Sequence, residues 1–108
     1  MPVYEKLVRD GIPNLIASQG KDFKTRILES KEYITELRKK LKEESEEYFR
    51  AAKDEEALDE LSDMLEVIQA LAEIHGSNSA ELEKLRVEKA ERRGGFKDRI
   101  FLIEVGGE

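Results

Sequence analysis

The chain has 108 residues, of which 39% are hydrophobic, 6% aromatic and 41% charged, so we expect a single domain over residues 1–108 with a lean aliphatic core. Its formal net charge of −6 argues against a nucleic-acid-binding surface, and the absence of cysteine excludes disulfides, thiolate zinc sites and a thiol nucleophile. No apolar run approaches the roughly 20 residues of a membrane-spanning helix, so the composition favours a cytoplasmic protein with no membrane partner.

The first predicted elements are a short extended segment and a short helix. Residues 3–8 are rich in β-favouring side chains, and residues 13–18 begin with a proline, which suits a first helical turn. Gly20 then predicts the end of this helix. Near the other end of the chain, residues 100–105 are again β-favouring, which leaves open a small β pairing of the N- and C-terminal segments.

Two long helices are predicted in the middle of the chain. Ser30 is a good N-cap for a helix over residues 31–52, and Asp54 is a good N-cap for a helix over residues 55–75. Because only a few residues separate these helices, we expect them to form an antiparallel hairpin. The fold class that follows is all-α, a helical bundle built on this hairpin.

A third long helix is predicted over residues 80–93. Gly76 ends the preceding helix, and Asn78 or Ser79 caps the new one. With few aromatic residues and a small core, a chain of this kind favours oligomerisation as a way to complete its packing.

Glu44 interrupts the apolar stripe of the first long helix. The stripe advances in steps of three and four residues and is apolar on both sides of position 44, at Ile34, Leu37, Leu41 and Tyr48. An unpaired carboxylate is costly to bury, so Glu44 needs a partner. Glu47 lies one turn further along the same face.

A second acidic pair, Glu60 and Asp63, lies on the next helix. The two residues flank an apolar stripe that is predicted to be the main core face, at Leu58, Leu61, Leu65, Ile68 and Ala72. In an antiparallel hairpin, positions 44–47 and 60–63 lie at comparable heights. Four converging carboxylates repel one another unless a cation lies between them, and Mg²⁺ is the natural candidate. The alternative is a pair of solvated helix faces in a glutamate-rich protein.

A dense basic run, residues 89–99, covers the end of the third long helix and continues through Gly94 and Gly95. Arginine side chains and the exposed backbone N–H groups of glycine both suit phosphate oxygens, so the run is a candidate phosphate clamp. The alternative is ordinary basic charge at a helix C-terminus, which the helix dipole favours. Lys6 and Arg9 near the start of the chain have the same two interpretations.

These motifs together resemble a known family. The acidic pattern resembles the signature of the all-α nucleoside triphosphate pyrophosphohydrolases, the MazG-like superfamily: it reads Glu43-Glu44-x-x-Glu47, twelve intervening residues, and then Glu60-x-x-Asp63. The two end motifs are similar to a branch predicted to consist of house-cleaning pyrophosphatases for noncanonical nucleotides. They read Tyr4-x-Lys6-Leu7-Val8-Arg9-Asp10-x-Ile12-Pro13 and Lys89-Ala90-Glu91-Arg92-Arg93-Gly94-Gly95-Phe96.

The resemblance implies an enzyme that cleaves the bond between the α- and β-phosphates of a nucleoside triphosphate, releasing a nucleoside monophosphate and pyrophosphate. It implies Mg²⁺, with Mn²⁺ as an alternative ion, held by Glu44, Glu47, Glu60 and Asp63. The catalytic residues would be Glu47 and Glu43, the latter as a supporting or water-positioning group. The triphosphate would be held by basic residues at both ends of the chain, namely Lys6, Arg9, Lys89, Arg92, Arg93 and Arg99. The family also implies a homodimer or a dimer of dimers.

Two alternatives stay open at this point. One is phosphoribosyl-ATP pyrophosphohydrolase, which uses the same kind of metal site but fits the end motifs less well. The other is a non-catalytic helical module that binds a nucleotide or a protein.

Overall fold

The computed structural model describes residues 2–107, which form four α-helices and no β-strand. The helices are α1 (Ile12–Ser18), α2 (Ser30–Arg50), α3 (Asp54–Ile74) and α4 (Ser79–Arg93). The all-α prediction is therefore confirmed, with helix bounds within one or two residues of those expected from the sequence. None of the helices formed by residues 2–107 could span a membrane.

The hairpin of α2 and α3 is the largest packed unit. Each helix has 21 residues and is about 32 Å long, and residues 51–53 connect them, with Ala51 and Lys53 in extended conformation. At the turn, the backbone N–H of Ala51 donates to the carbonyl oxygen of Tyr48, and that of Ala52 donates to the side chain of Glu56. The connection reverses the chain, so that α3 runs back along α2.

The helix ends partly follow the predicted capping. Asn78 caps α4: its side-chain oxygen accepts from the backbone N–H of Glu81, and its amide nitrogen donates to the Glu81 carboxylate, both at 2.9 Å. Ser30 and Asp54, the other predicted caps, are instead the first residues of their helices. The residues before them, Glu29 and Lys53, make no side-chain capping bond.

Gly76 ends α3 as predicted, because it adopts a positive φ of 78° that a side chain would disfavour. Its backbone N–H donates to the carbonyl oxygen of Glu73, and the N–H of Ser77 donates to that of Ala72. This pair of bonds is the Schellman arrangement that satisfies the last carbonyl groups of a helix.

The core lies between α2 and α3, and it is small. Leu37 and Ala72 are the buried apolar residues among those described. On α2 the predicted stripe is confirmed for Ile34, Leu37 and Leu41, whereas Tyr48 at its end is exposed. Glu44 is half-buried in this stripe, as its position predicts.

The predicted core face of α3 is wrong for its first half. Leu58, Leu61 and Leu65 are exposed. The half-buried residues in the first half of α3 are instead next to these leucines in the sequence. Those half-buried residues are Ala57, Glu60, Asp63, Met64 and, further along, Val67. The reason is that α3 is apolar on two faces, and α2 covers only one of them.

The terminal segments do not pair. Residues 3–8 and 100–105 have neither strand nor helix structure, so the suggested small β pairing is wrong for the described chain. The apolar side chains of the C-terminal segment are exposed. A strand forms only where a partner supplies hydrogen bonds, and neither segment finds one in this chain.

Candidate metal centre

Three carboxylates converge between the two helices of the hairpin. Glu44 and Glu47 lie one turn apart on α2, and Glu60 comes from the facing side of α3. One carboxylate oxygen of each residue lies within 4.8 Å of an oxygen of the other two. The antiparallel connection therefore brings together three of the four residues predicted to hold a cation.

Asp63, the fourth predicted ligand, belongs to a second group that overlaps the first. This group consists of Asp59, Glu60 and Asp63, whose carboxylate oxygens also lie within 4.8 Å of one another. Glu60 is common to both groups. The four predicted ligands therefore do not form one compact group. Asp59 was missed by sequence reasoning, although its four-residue spacing from Asp63 indicates a shared helix face.

Arg9 forms an ion pair with Asp63 in this structure. Its guanidinium Nη2 donates to Oδ1 of Asp63 at 2.7 Å, although the residues are 54 positions apart. Every other side-chain hydrogen bond in residues 2–107 joins residues at most six positions apart. Arg9 was predicted to bind substrate phosphate, whereas here it fastens the N-terminal segment to α3.

Two oxygens of the acidic cluster lack a hydrogen-bond donor. Oε2 of Glu44 and Oε2 of Glu60 are both shielded from solvent and unpaired. Shielded carboxylate oxygens without donors are costly, and two of them on facing helices repel each other as well.

The raised pKa values of two glutamates reflect this crowding. The pKa of Glu60 is raised, first because its protonated carboxyl can donate to Glu44, then by desolvation and by the negative charges of Glu44 and Asp63. The pKa of Glu47 is raised, first because it can likewise donate to Glu60, then by desolvation and by the charge of Glu60. Without a cation, a proton is what relieves the repulsion.

The donor set fits a hard divalent cation. It consists of carboxylate oxygens alone, with no imidazole or thiolate, which is the chemistry that Mg²⁺ prefers. A cation between Glu44, Glu47 and Glu60 would pair the two oxygens that lack donors. Three carboxylates would also leave positions of an octahedral shell open to water and phosphate oxygens.

A shallow cleft lies between the acidic cluster and the turn of the hairpin. It is lined by Glu47, Arg50, Ala51, Glu56, Asp59 and Glu60. Arg50 is a basic residue beside the carboxylates that the sequence analysis did not select, although it follows Glu47 by one helical turn. Glu43, a predicted catalytic residue, is exposed and belongs to neither acidic group.

The basic residues after α3 lie apart from this cluster within one chain. α4 packs against α3 but makes no contact with α2. Lys89 lines a groove between α3 and α4 together with Leu65, Ile68 and Leu85. Neither the acidic groups nor the cleft includes the other basic residues predicted here, Arg92, Arg93 and Arg99. Lys6 is exposed and lies 5.5 Å from the ring centre of Tyr4.

Comparison with known proteins adds no family assignment, because no family model, curated protein or solved structure matches this chain. The resemblance to the MazG-like superfamily therefore rests on the sequence motifs alone.

Proposed function

We propose that this protein is a cytoplasmic, Mg²⁺-dependent nucleoside triphosphate pyrophosphohydrolase of the MazG-like kind. The reaction consumes one water molecule and splits the anhydride between the α- and β-phosphates, giving a nucleoside monophosphate and pyrophosphate. Noncanonical nucleotides are the proposed substrates, because the end motifs resemble the house-cleaning branch.

One observation carries this proposal. Glu44, Glu47 and Glu60 converge from two helices, and two of their oxygens are shielded from water without any donor. Solvated acidic faces, the alternative explanation, would point their carboxylates outward into water. Convergence with orphaned oxygens instead favours a cation, with Mn²⁺ as an alternative to Mg²⁺, and a triphosphate is itself bound as a complex with such a cation.

A bound Mg²⁺ would neutralise phosphate oxygens and lower the pKa of a coordinated water. Glu44 and Glu60 would hold the ion, because each has a shielded oxygen without a donor and their carboxylates lie within 4.8 Å of each other. Glu47 both contacts this group and lines the cleft, so it is placed to orient or deprotonate the attacking water. Glu43 lies outside the group and takes the supporting role.

Arg50 is the basic side chain that lines the cleft together with Glu47 and Glu60. It is suited to contact a phosphate that approaches Glu47. The remaining phosphate contacts would come from Lys6, Arg9, Lys89, Arg92, Arg93 and Arg99. We propose a homodimer, or a dimer of dimers, as the working assembly, because one chain leaves much of its apolar surface exposed.

The test is pyrophosphate release from canonical and modified triphosphates, and from phosphoribosyl-ATP, with Mg²⁺ and with chelator. We expect Mg²⁺-dependent release from at least one nucleoside triphosphate and none after chelation. Turnover confined to phosphoribosyl-ATP would assign the alternative pyrophosphohydrolase activity. No turnover, together with no Mg²⁺ binding by calorimetry, would instead favour a non-catalytic helical module.

A further inference from the structure

The N-terminal arm, residues 2–20, is attached to the hairpin by one side-chain bond. Nη2 of Arg9 donates to Oδ1 of Asp63 on α3 at 2.7 Å, and no other side-chain hydrogen bond joins the arm to the rest of the described chain. α1, which belongs to the arm, contacts none of the other three helices. The position of the arm relative to α3 therefore depends mainly on Arg9.

The surroundings of the arm oppose its movement only weakly. Among residues 2–11, Leu7 is half-buried and the other residues are exposed. Residues 21–27, which follow the arm, are exposed and form neither helix nor strand. They are then fixed to the start of α2, because Arg26 donates two hydrogen bonds to the carboxylate of Glu32. The first part of this connection can therefore act as a hinge, since few packed contacts would be lost when the arm moves.

The ion pair that holds the arm is itself partly exposed. The side chains of Arg9 and Asp63 are 55% and 34% exposed. Water competes for both groups, so an ion pair of this kind favours the attached arrangement by about five-fold at most. A competing interaction of modest strength at Asp63 is therefore enough to free the arm.

The partner of Arg9 is also a candidate cation ligand. Carboxylate oxygens of Asp63, Asp59 and Glu60 lie within 4.8 Å of one another. Glu60 also belongs to the group that converges between the helices, and its Oε2 is shielded without a donor. A divalent cation bound at Glu60 therefore lies beside Asp63. It would compete for the carboxylate that Arg9 contacts, and its two positive charges would repel the guanidinium.

We infer that a divalent cation releases the N-terminal arm from α3. Without the cation, Arg9 pairs with Asp63 and keeps the arm attached, so the chain supplies its own positive charge to the acidic group. With the cation bound, Arg9 leaves Asp63 and the arm moves away about residues 21–25. Arg9 and the cation thus exclude each other, and the position of the arm reports which of them is bound.

The release also deepens the proposed function, and in that respect it rests on it. Arg9 is one of the proposed phosphate contacts, but its Nη2 is engaged by Asp63 as long as the arm is attached. Release frees the whole guanidinium, whose paired N–H groups suit phosphate oxygens. Cation binding and phosphate binding are then coupled through one side chain, because the same event that fills the acidic group also makes Arg9 available.

Distance measurements by pulsed electron paramagnetic resonance test the release, because the chain has no native cysteine. Spin labels are attached at Asn14→Cys on α1 and Ala52→Cys at the hairpin turn, both exposed positions. Dilution with excess unlabelled chain keeps the measured distances within one chain, and no nucleotide is present. We expect one dominant distance without Mg²⁺ and a broad distribution with saturating Mg²⁺. NaCl at the same ionic strength is the control for screening and should leave the dominant distance in place.

Two variants of the labelled chain complete this experiment. Arg9→Ala should give the broad distribution with and without Mg²⁺, with unchanged helical circular dichroism. Lys6→Ala, in the same arm but without a carboxylate partner in the described chain, is the matched control and should behave as the wild type does. A wild-type distance in Arg9→Ala would overturn the inference. So would equal distributions with and without Mg²⁺, whether calorimetry then shows the ion bound or not bound.

Limited digestion of the unlabelled wild type by trypsin gives an independent check. Trypsin must bind the arginine after which it cleaves, so the rate of cleavage after Arg9 follows the fraction of released arm. Saturating Mg²⁺ should raise this rate up to about five-fold, the factor by which the ion pair protects Arg9. Cleavage after Arg26 is the internal control, because its partner Glu32 is about 18 Å along α2 from Glu44. Equal changes at the two sites, or no change after Arg9, would overturn the inference.

Turnover assays separate this inference from the proposed function. Release of the arm by Mg²⁺ in a protein that hydrolyses no triphosphate would support the inference and refute the function. Mg²⁺-dependent turnover without release of the arm would refute the inference and support the function. Where both hold, Arg9→Ala should raise the KM for the triphosphate more than it lowers kcat, because it removes a contact to bound phosphate. An unchanged KM would contradict the coupling through Arg9.

Discussion

The hairpin of α2 and α3 differs from the C-terminal part, α4 and the segment after it, in what its functional residues contact. In the hairpin, a three-residue turn sets the heights of the two helices, so that Glu44 and Glu47 meet Glu60 within one chain. In the C-terminal part, the basic and apolar residues make few contacts of their own. Short connections can thus assemble the acidic half of a site, whereas the basic half depends on long-range packing.

We expect the largest loss of activity from removing the Glu44 carboxylate, because Glu44 belongs to the half of the site that the hairpin assembles. Glu44→Gln should lower Mg²⁺-dependent pyrophosphate release by about 100-fold or more, since it removes a ligand of the proposed ion. Steady-state assays with circular dichroism check both activity and folding. Glu46→Gln, at an exposed residue of the same helix, is the control and should keep wild-type activity. An active Glu44→Gln variant would refute the assignment of the cation site.

The next largest effect is expected on the pH dependence of the stability of the metal-free protein. The pKa of Glu60 is raised from its ordinary value of 4.5, so the folded state binds a proton more tightly than the unfolded state does. This contribution to stability is present below pH 4.5 and is lost as the pH rises through the raised pKa. Glu47 acts in the same direction. The lowered pKa values of Glu32 and Glu83 act in the opposite direction, because each carboxylate pairs with an arginine, but both pairs are exposed.

A variant isolates this effect. Glu60→Gln cannot ionise, so its denaturation midpoint relative to wild type should rise as the pH increases above 4.5. Saturating Mg²⁺ should reduce the difference, because the ion stabilises the wild-type carboxylates; at 100 times its Kd an ion contributes about 2.7 kcal/mol. A midpoint difference that does not change with pH would mean that the carboxylates do not interact as described.

Arg9 offers a way to change the site without touching a carboxylate. Arg9→Ala should cost at most about 1 kcal/mol of stability, because the ion pair with Asp63 is partly exposed. It should also strengthen Mg²⁺ binding, measured by calorimetry, since a competing positive charge leaves the acidic cluster. Lys6→Ala, in the same segment but without a carboxylate partner in the described chain, is the control. Unchanged affinity in Arg9→Ala would show that Arg9 and the ion do not compete.

The smallest expected effect concerns the start of α4. Asn78→Ala should reduce stability by about 1 kcal/mol, because it removes the bond from the Glu81 N–H that caps the helix. Ser30→Ala should have little effect, since Ser30 is inside α2 and does not cap it. Chemical denaturation of both variants measures the difference. Equal losses would mean that the Asn78 cap contributes no more than an ordinary surface residue.

Much of the fold was predictable from local patterns. The spacing of Ile34, Leu37 and Leu41 defines the packed face of α2, and the same spacing identifies Glu44 as a carboxylate at an apolar position. Gly76 and Asn78 mark a helix end and a helix start through bonds to residues at most five positions away. Such features depend on residues that are close together in the sequence, so they can be predicted from the sequence alone.

Two features of the candidate site could not be predicted from local sequence patterns. Asp63 was grouped with Glu44 and Glu47, but the structure pairs it with Arg9, 54 positions earlier. Asp59 and Arg50 share helix faces with Asp63 and Glu47, but so do many other charged residues of these helices, and the spacing alone did not single them out. Their role is visible only once α3 lies against α2 and the cleft between the helices is formed.

The sequence by itself determined four helices, the hairpin and the pairing of Glu44 with an acidic residue on the next helix, because helix periodicity and a short turn leave few alternatives. Only the tertiary structure decided which apolar face of α3 is covered. Leu58, Leu61 and Leu65 form as regular a stripe as the face that packs on α2, and hydrophobicity alone does not choose between them. The rotation of α3 about its axis depends on packing along the whole hairpin, and it leaves this second face exposed.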